Sequence, residues 1–149
     1  MNLQRILFAT DFSPASQSAL NYATALARDS GATLMIVHAE VPMPPLAAGE
    51  MYLPAVTFPN PELKRMLERV VPSDKTVRYE HRLLSGTAAD EIVRLAEEHD
   101  VDLIVMGTHG RTGLSRLLMG SVAEAVLRRA PCPVLTLKQA SRVPAEVTG

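Results

Sequence analysis

The sequence predicts an α/β fold in which helices cover both faces of an open, five-stranded parallel sheet. Its 149 residues and 47% hydrophobic content fit one domain of ordinary size. Apolar runs of strand length alternate with stretches of helical periodicity, which is typical of a parallel sheet. We expect a single Rossmann-like domain over residues 1–139, with strand order 3-2-1-4-5. Residues 140–149 lack periodicity and are expected to form a flexible C-terminal tail.

The first predicted unit is a strand, a helix and a second strand. Leu3 to Ala9 has the composition of a buried strand. Ser13 then supplies an N-cap, and Pro14 occupies the first helical position, where no N–H is needed. Gly31 is the predicted end of the helix, before a second strand from Thr33 to Ala39. The predicted apolar face of the helix consists of Ala19, Leu20, Ala23, Leu26 and Ala27.

A second unit repeats this arrangement. The third strand is predicted from Thr76 to Leu84, with Gly86 and Thr87 as the turn and cap of a helix. The fourth strand follows from Asp102 to Gly107, and after a further helix the fifth strand runs from Pro133 to Leu137. The inward residues of the two helices are predicted to be Ala88, Ala89, Ile92, Val93, Leu95 and Ala96, then Met119, Val122, Ala123, Val126, Leu127 and Ala130.

The segment from Glu40 to Asn60 fits this scheme less well. It contains five prolines and neither Lys nor Arg, so it cannot be regular structure throughout. It is long for a connection in a compact domain and too apolar for a solvated linker. We expect it to cover part of the molecule, or alternatively to dock a partner. Asn60 and Pro61 then begin a short helix that uses Leu63, Met66, Leu67 and Val70.

Charge and cysteine content argue against several classes of function. The near balance of 15 basic and 16 acidic residues disfavours a nucleic-acid binder. No apolar run reaches the length of a signal-peptide core or a membrane span, so we expect a cytoplasmic protein without membrane contact. Cys132, the single cysteine, is interpreted as a small buried residue that opens a strand, and the alternative is a redox thiol. The four histidines lack metal-site spacing, so no metal site is predicted from protein side chains.

The glycine-rich stretch after the fourth strand is the candidate site. Gly107, Gly110, Gly113 and Gly120 let a ligand approach the main chain closely, at the sheet edge where open parallel sheets bind ligands. Backbone N–H groups near Gly110 and Gly120, at the start of the next helix, are expected to bind phosphate. The alternative is an ordinary strand-to-helix loop. Neither GxxxxGK[ST] nor an early GxGxxG motif is present.

The spacing Gly107-x2-Gly110-x9-Gly120-Ser121 resembles the G-x2-G-x9-G-[ST] motif of the ATP-binding universal stress protein family. The run from Arg5 to Ser13 is similar to the first strand of that family, and Ala130 to Val134 is similar to the start of its last strand. Ala9 stands where the family often has proline. The resemblance covers nearly the whole chain except the tail and the segment after the second strand.

The resemblance implies that ATP, with Mg²⁺, binds at the carboxyl edge of the sheet. Adenosine would lie against the ends of the first and second strands, and the triphosphate against the glycine stretch. The contacts implied on the adenosine side are Ala9, Thr10, Asp11, Val37, His38 and Ala39. The contacts implied on the glycine side are Met106, Gly107, Thr108, Gly110, Arg111, Gly120, Ser121 and Val122. A homodimer paired through the last strand is implied as well, together with an unidentified protein partner.

Alternatives stay open for several roles. Asp11 either accepts ribose hydroxyls or caps the first helix beside Ser13, and Arg111 either pairs with phosphate or is a solvated loop charge. No acid or lysine lies between Gly107 and Val122, so groups needed for efficient phosphoryl transfer are missing. We therefore expect a nucleotide-responsive regulatory or stress-survival protein. The alternatives are a slow ATPase, an adenylate-forming enzyme and an interaction module without nucleotide.

Overall fold

A computed structural model of the chain describes residues 2–41, 47–48, 51–52, 60–108 and 119–138. Apart from two short strands at residues 47–48 and 51–52, strands and helices alternate along it, as the sequence predicts. The strands are β1 (Arg5–Ala9), β2 (Thr33–Glu40), β3 (Ala47–Ala48), β4 (Met51–Tyr52), β5 (Tyr79–Ser85), β6 (Leu103–Gly107) and β7 (Val134–Leu137). The helices are α1 (Pro14–Ser30), α2 (Pro61–Glu68), α3 (Ala88–Glu98) and α4 (Ser121–Arg129).

The five longer strands form one parallel sheet in the order β5-β2-β1-β6-β7. Counted along the chain, these are its third, second, first, fourth and fifth strands, so the predicted order is confirmed. β3 and β4 form a separate antiparallel pair. In the central strand, Ala9 lies opposite Val37 of β2 and Met106 of β6. The carboxyl ends of β1, β2 and β6 therefore lie side by side.

Side chains alternate between the two faces of the sheet along each strand, and both faces are buried against helices. Ile6 and Phe8 pack on one face with Ala23 of α1. Leu7, between them in sequence, packs on the other face with Ile92 of α3. Helices cover both faces, as predicted, and the α3 and α4 side is the face on which the candidate site lies.

The predicted helix signals are seen at both ends of α1 and at the start of α2. The Ser13 side chain accepts a hydrogen bond from the Ser16 N–H at 3.3 Å, and Pro14 occupies the first turn. Gly31 ends α1 with a left-handed φ of 74°, which glycine adopts without steric cost. The Asn60 side chain caps α2 by accepting the Glu62 N–H at 3.0 Å.

Some predicted boundaries and burial assignments were wrong. β5 begins at Tyr79 rather than at Thr76, whose N–H and hydroxyl both bind the Asp74 carboxylate, at 2.9 and 2.6 Å, in a local turn. β1 begins at Arg5 rather than Leu3. Leu127 of α4 is 41% exposed rather than buried, and Met119 precedes the helix.

Cys132 lies two residues before β7 and is half-buried rather than fully buried. Burial and the negative charge of Asp102 raise the pKa of its thiol. The thiol therefore stays protonated at neutral pH, which is typical of an unreactive cysteine.

Three predicted features lie mainly or wholly outside the described residues. The apolar segment from Glu40 to Asn60 is described only at its ends and in β3 and β4, and the tail over residues 140–149 is not described. Residues 109–118 of the glycine stretch also lie outside. None of the helices that the structure describes has the length and apolar character needed to cross a membrane.

Candidate functional site

A cavity of about 300 Å³ opens at the carboxyl ends of β1, β2 and β6. The turn between β1 and α1 forms one wall, and the first residues of α3 and α4 form others. Connections leave the sheet towards opposite faces at this edge, since β1 leads to α1 on one face and β6 leads to α4 on the other. Open parallel sheets commonly bind ligands in such a crevice.

Every predicted site residue within the described part of the chain lines this cavity. They come from segments far apart in sequence, and the parallel topology brings their strand ends together. The residues are Ala9, Thr10, Asp11, Val37, His38, Ala39, Met106, Gly107, Thr108, Gly120, Ser121 and Val122. The remaining two, Gly110 and Arg111, lie outside the described residues.

The cavity also includes four residues that the sequence did not single out as site residues: Ser16, Ala88, Ile92 and Ala123. Three of them were predicted as inward-facing helix residues, and each lies in the first turns of α3 or α4. Their small or apolar side chains gave no sign of a ligand role. Ser16 follows the N-cap by three residues, and this spacing was the signal that could have identified it.

The Asp11 carboxylate is held by its own turn. Its Oδ1 accepts hydrogen bonds from the Ser13 N–H at 2.9 Å and from the Ser16 hydroxyl at 2.5 Å. Burial raises the pKa of the Asp11 carboxyl, but the hydrogen bonds from Ser13 and Ser16 outweigh burial and hold it below its ordinary value. Asp11 is therefore ionised at neutral pH and acts only as an acceptor. No described residue donates to its other oxygen, Oδ2.

The next residue, Phe12, has a left-handed backbone with φ of 65°, which is uncommon for an aromatic side chain. Its N–H donates to the Thr10 Oγ1 at 3.0 Å, and its ring lies 4.5 Å from the His38 ring. The His38 Nδ1 lies 2.7 Å from the Thr10 carbonyl oxygen. A carbonyl only accepts, so Nδ1 carries the proton. These contacts fix the turn that presents Asp11.

At the start of α4 the structure corrects one expectation. The Gly120 N–H, expected to bind phosphate, donates to the Thr108 carbonyl at 2.6 Å. This bond joins the two ends of the glycine stretch. Gly120 also has ordinary extended angles, φ −61° and ψ 153°, so its conformation does not require glycine.

The amides available to a ligand are the next three. Gly120 is the N-cap, and the first intrahelical bond runs from the Glu124 N–H to the Gly120 carbonyl at 3.0 Å. The N–H groups of Ser121, Val122 and Ala123 thus precede the hydrogen-bonded part of the helix, and none has an acceptor within the described residues. The exposed Ser121 adds a hydroxyl. Together with the positive end of the helix dipole, these donors favour an anion.

Thr108 connects the site to the edge of the sheet. Its N–H and hydroxyl both donate to the Leu137 carbonyl of β7, at 2.9 and 3.3 Å. Thr108 is only 6% exposed. The end of β6 is therefore fixed between β7 and the start of α4.

Gly107 has a packing role that the sequence did not reveal. A Cβ at this position would lie 3.3 Å from the Ala15 Cβ and 3.5 Å from the Ala15 carbonyl carbon. The missing side chain lets α1 pack closely against the end of β6. A side chain at this position would therefore crowd α1, whether or not a ligand also approaches.

The walls of the cavity combine apolar surface with a single carboxylate. Val37, Ile92 and Met106 are buried and give an apolar interior. Asp11 is the one acidic side chain among the described lining residues. Over the described part of the chain, no group of three or more His, Cys, Asp and Glu side chains is placed to hold a metal ion.

Comparison with known proteins gives one consistent family. The chain matches the universal stress protein family over residues 2–138. It is similar to a universal stress protein of Methanocaldococcus jannaschii, with 33% identity over 141 residues that cover 91% of this chain and 82% of that protein.

Two solved structures are similar in fold and contain nucleotides. One is a universal stress protein in complex with cAMP, 30% identical, with a TM-score of 0.66 and coverage of 91% of this chain and 97% of that one. The other is the universal stress protein from Archaeoglobus fulgidus in complex with dAMP, 25% identical, with a TM-score of 0.62 and coverage of 93% and 100%.

Proposed function

The chain belongs to the universal stress protein family, and on that premise we propose that it is a nucleotide-responsive regulatory protein that binds ATP with Mg²⁺. The observation that carries this proposal is the convergence of residues 9–11, 37–39 and 120–122 on one cavity. The cavity volume of about 300 Å³ lies at the lower end of the range for small-molecule sites, roughly 300–1,000 Å³.

The start of α4 is the proposed phosphate end. The three amides from Ser121 to Ala123 and the Ser121 hydroxyl supply donors, and the helix dipole supplies positive potential. The ionised Asp11 repels phosphate, so the nucleotide binds with its phosphates away from that carboxylate. These two features orient the nucleotide with its phosphates towards the start of α4 and away from Asp11.

The β1–α1 turn is the proposed ribose end. Asp11 Oδ2 accepts no hydrogen bond from a described residue, and a carboxylate at a strand end is suited to ribose hydroxyls. The base lies against apolar surface and the end of β2, near Val37 and Ala39. Small side chains at Ala9, Ala39 and Ala88 leave room for a flat ring.

The two nucleotide complexes support this class of ligand. The cAMP and dAMP bound by those relatives share an adenine base and a phosphate. The triphosphate is our finer proposal, and it rests on the several donors at α4 and on the glycine spacing. Mg²⁺ would be held mainly by phosphate oxygens and water, its preferred ligands.

We also propose that the protein is a homodimer paired through β7. This strand ends the sheet, and all four of its side chains are half-buried in one copy of the chain. The Pro133 carbonyl binds the Ile104 N–H of β6, and the Leu137 carbonyl binds Thr108. By alternation, the peptide groups of Val134 and Thr136 face the open edge and are available to a second strand.

Hydrolysis is proposed to be slow. Backbone amides and the Ser121 hydroxyl bind a triphosphate about equally before and during reaction, and such uniform binding does not accelerate the chemical step. Asp11 is the one described carboxylate in the cavity, and its Oδ1 already accepts two hydrogen bonds. ATP therefore acts as a resident ligand whose occupancy biases conformation or partner binding.

The nucleotide content of the purified protein tests the proposal. Acid extraction followed by chromatography should release adenine nucleotide, up to one per chain. The stripped protein should then bind ATP with Mg²⁺ in calorimetry at one site per chain. A protein that carries no nucleotide and gives no binding at millimolar ATP would contradict the proposed function and favour an interaction module.

A further inference from the structure

We infer that Ser16 is a positioning residue of the nucleotide site, which fixes the Asp11 carboxylate through Oδ1 and so reserves Oδ2 for a ribose hydroxyl. This inference rests on the proposed function, because it assigns a role within that same site. Ser16 lines the cavity but is 3% exposed, so its hydroxyl is largely withdrawn from solvent.

The direction of the Ser16 hydroxyl is determined by its neighbours. Its Oγ accepts the Asp11 N–H at 3.1 Å and donates to the Asp11 Oδ1 at 2.5 Å. A hydroxyl has one proton, and the ionised carboxylate can only accept it. Ser16 therefore binds both the backbone and the side chain of Asp11, which restricts rotation of the carboxylate.

Ser13 completes the arrangement from the other side. Its N–H donates to the same Oδ1 at 2.9 Å, so this oxygen has two donors while Oδ2 has none among the described residues. Ser13 also caps α1 with its side chain, so its replacement would perturb the helix. Replacement of Ser16 removes a hydrogen bond to the Asp11 carboxylate with less effect on the helix than replacement of Ser13.

The charge environment makes the Asp11 carboxylate dependent on these hydrogen bonds. Burial opposes ionisation, and the bonds from Ser13 and Ser16 keep the pKa of Asp11 below its ordinary value. No neighbouring charge within the described structure contributes to this shift. Within the part of the chain that the structure describes, the ionisable groups at this end of the neighbouring elements are His38 and Glu40 on β2, Asp90 and Glu91 on α3, and Glu124 on α4.

The first test is the Asp11 titration, followed by carboxyl ¹³C NMR in the ligand-free full chain. Ser16→Ala should raise the pKa of Asp11, because burial remains while one stabilising hydrogen bond is lost. Ser18→Ala is the matched control: its hydroxyl, on the same helix, donates only to the Pro14 carbonyl at 3.4 Å. An unchanged Asp11 titration in Ser16→Ala would overturn the inference.

The second test compares adenosine with 2′,3′-dideoxyadenosine, which lacks the 2′- and 3′-hydroxyls of the ribose but keeps the 5′-hydroxyl. Neither carries a phosphate whose own titration would complicate the result. The wild-type protein and Ser18→Ala should prefer adenosine by about tenfold or more, the effect of one hydrogen bond to a charged group. Ser16→Ala should lose most of this preference, and it should lose adenosine affinity at a higher pH than the wild type as pH falls.

Ser16→Thr keeps the hydroxyl and should restore the ribose preference if it folds as the wild type does in thermal unfolding. Equal preference in Ser16→Ala and wild type would overturn the positioning role. A wild-type chain that binds neither adenosine nor ATP would overturn the proposed function itself, whereas wild-type binding with an unchanged Ser16→Ala titration would overturn the Ser16 inference alone.

Discussion

Replacement of Gly120 by aspartate should abolish ATP binding while the fold is retained. Gly120 is the N-cap of α4 and has φ −61° and ψ 153°, angles that any residue adopts. Aspartate is among the preferred N-cap residues, and its charge is favourable at a helix N-terminus. We expect the free energy of unfolding to be unchanged or to rise by up to about 1 kcal/mol.

The loss of affinity is electrostatic. An N-cap carboxylate accepts the N–H of the second or third helical residue, here Val122 or Ala123, which are donors proposed for phosphate. It would also lie close to the bound phosphate. Two negative unit charges about 4 Å apart repel by about 4 kcal/mol at an effective dielectric constant of 20. That energy corresponds to a Kd increase of about three orders of magnitude.

Calorimetry with ATP and Mg²⁺, together with thermal unfolding, measures both effects. Gly120→Asn is the matched control, because asparagine has nearly the same size and capping ability without the charge. It should weaken ATP binding by only about tenfold, the cost of one competing hydrogen bond. Wild-type affinity in Gly120→Asp would refute the phosphate site at α4, and equal losses in both variants would refute its electrostatic basis.

Three further predictions concern packing, assembly and catalysis. Gly107→Ala should lower the free energy of unfolding by about 1–3 kcal/mol, since its Cβ would crowd Ala15. An unchanged urea midpoint would show that α1 accommodates the added methyl group without loss of stability. Thr136→Pro should weaken the dimer in sedimentation experiments by removing an outward N–H, while Thr136→Val should not; a monomeric wild-type protein at micromolar concentration would disprove pairing through β7. ATP turnover should be far below the roughly 1–100 per second of kinases; fast phosphate release that Asp11→Asn removes without loss of ATP affinity would indicate an enzyme.

Local sequence signals predicted the ends of helix α1 well. Ser13 with Pro14, and Gly31, marked the ends of α1 because capping depends on a few neighbouring residues. The convergence of Asp11 and Ser121 on one cavity could also be predicted, because parallel strands end at the same edge of the sheet.

Features that depend on tertiary contacts could not be predicted. The Gly120 N–H donates a hydrogen bond to the carbonyl of Thr108, twelve positions earlier, and the sequence gives no sign of that pairing. Leu127 follows the helical period and was predicted to be buried. The buried surface of α4 comes from Ala123 and Val126, and the Leu127 side chain is exposed. Periodicity shows which residues share a helix face but does not show how far the neighbouring sheet extends.

The most direct test of the nucleotide site is a pair of amide NMR titrations of the stripped 149-residue chain, one with ATP and Mg²⁺ and one with adenosine. Both ligands should shift the amides of Thr10, Asp11 and Ala39. Only ATP should shift those of Ser121 and Val122, with saturation at one ligand per chain. ATP-dependent shifts confined to residues away from these two groups, or no shifts at millimolar ATP, would contradict a nucleotide bound with its phosphates at the start of α4.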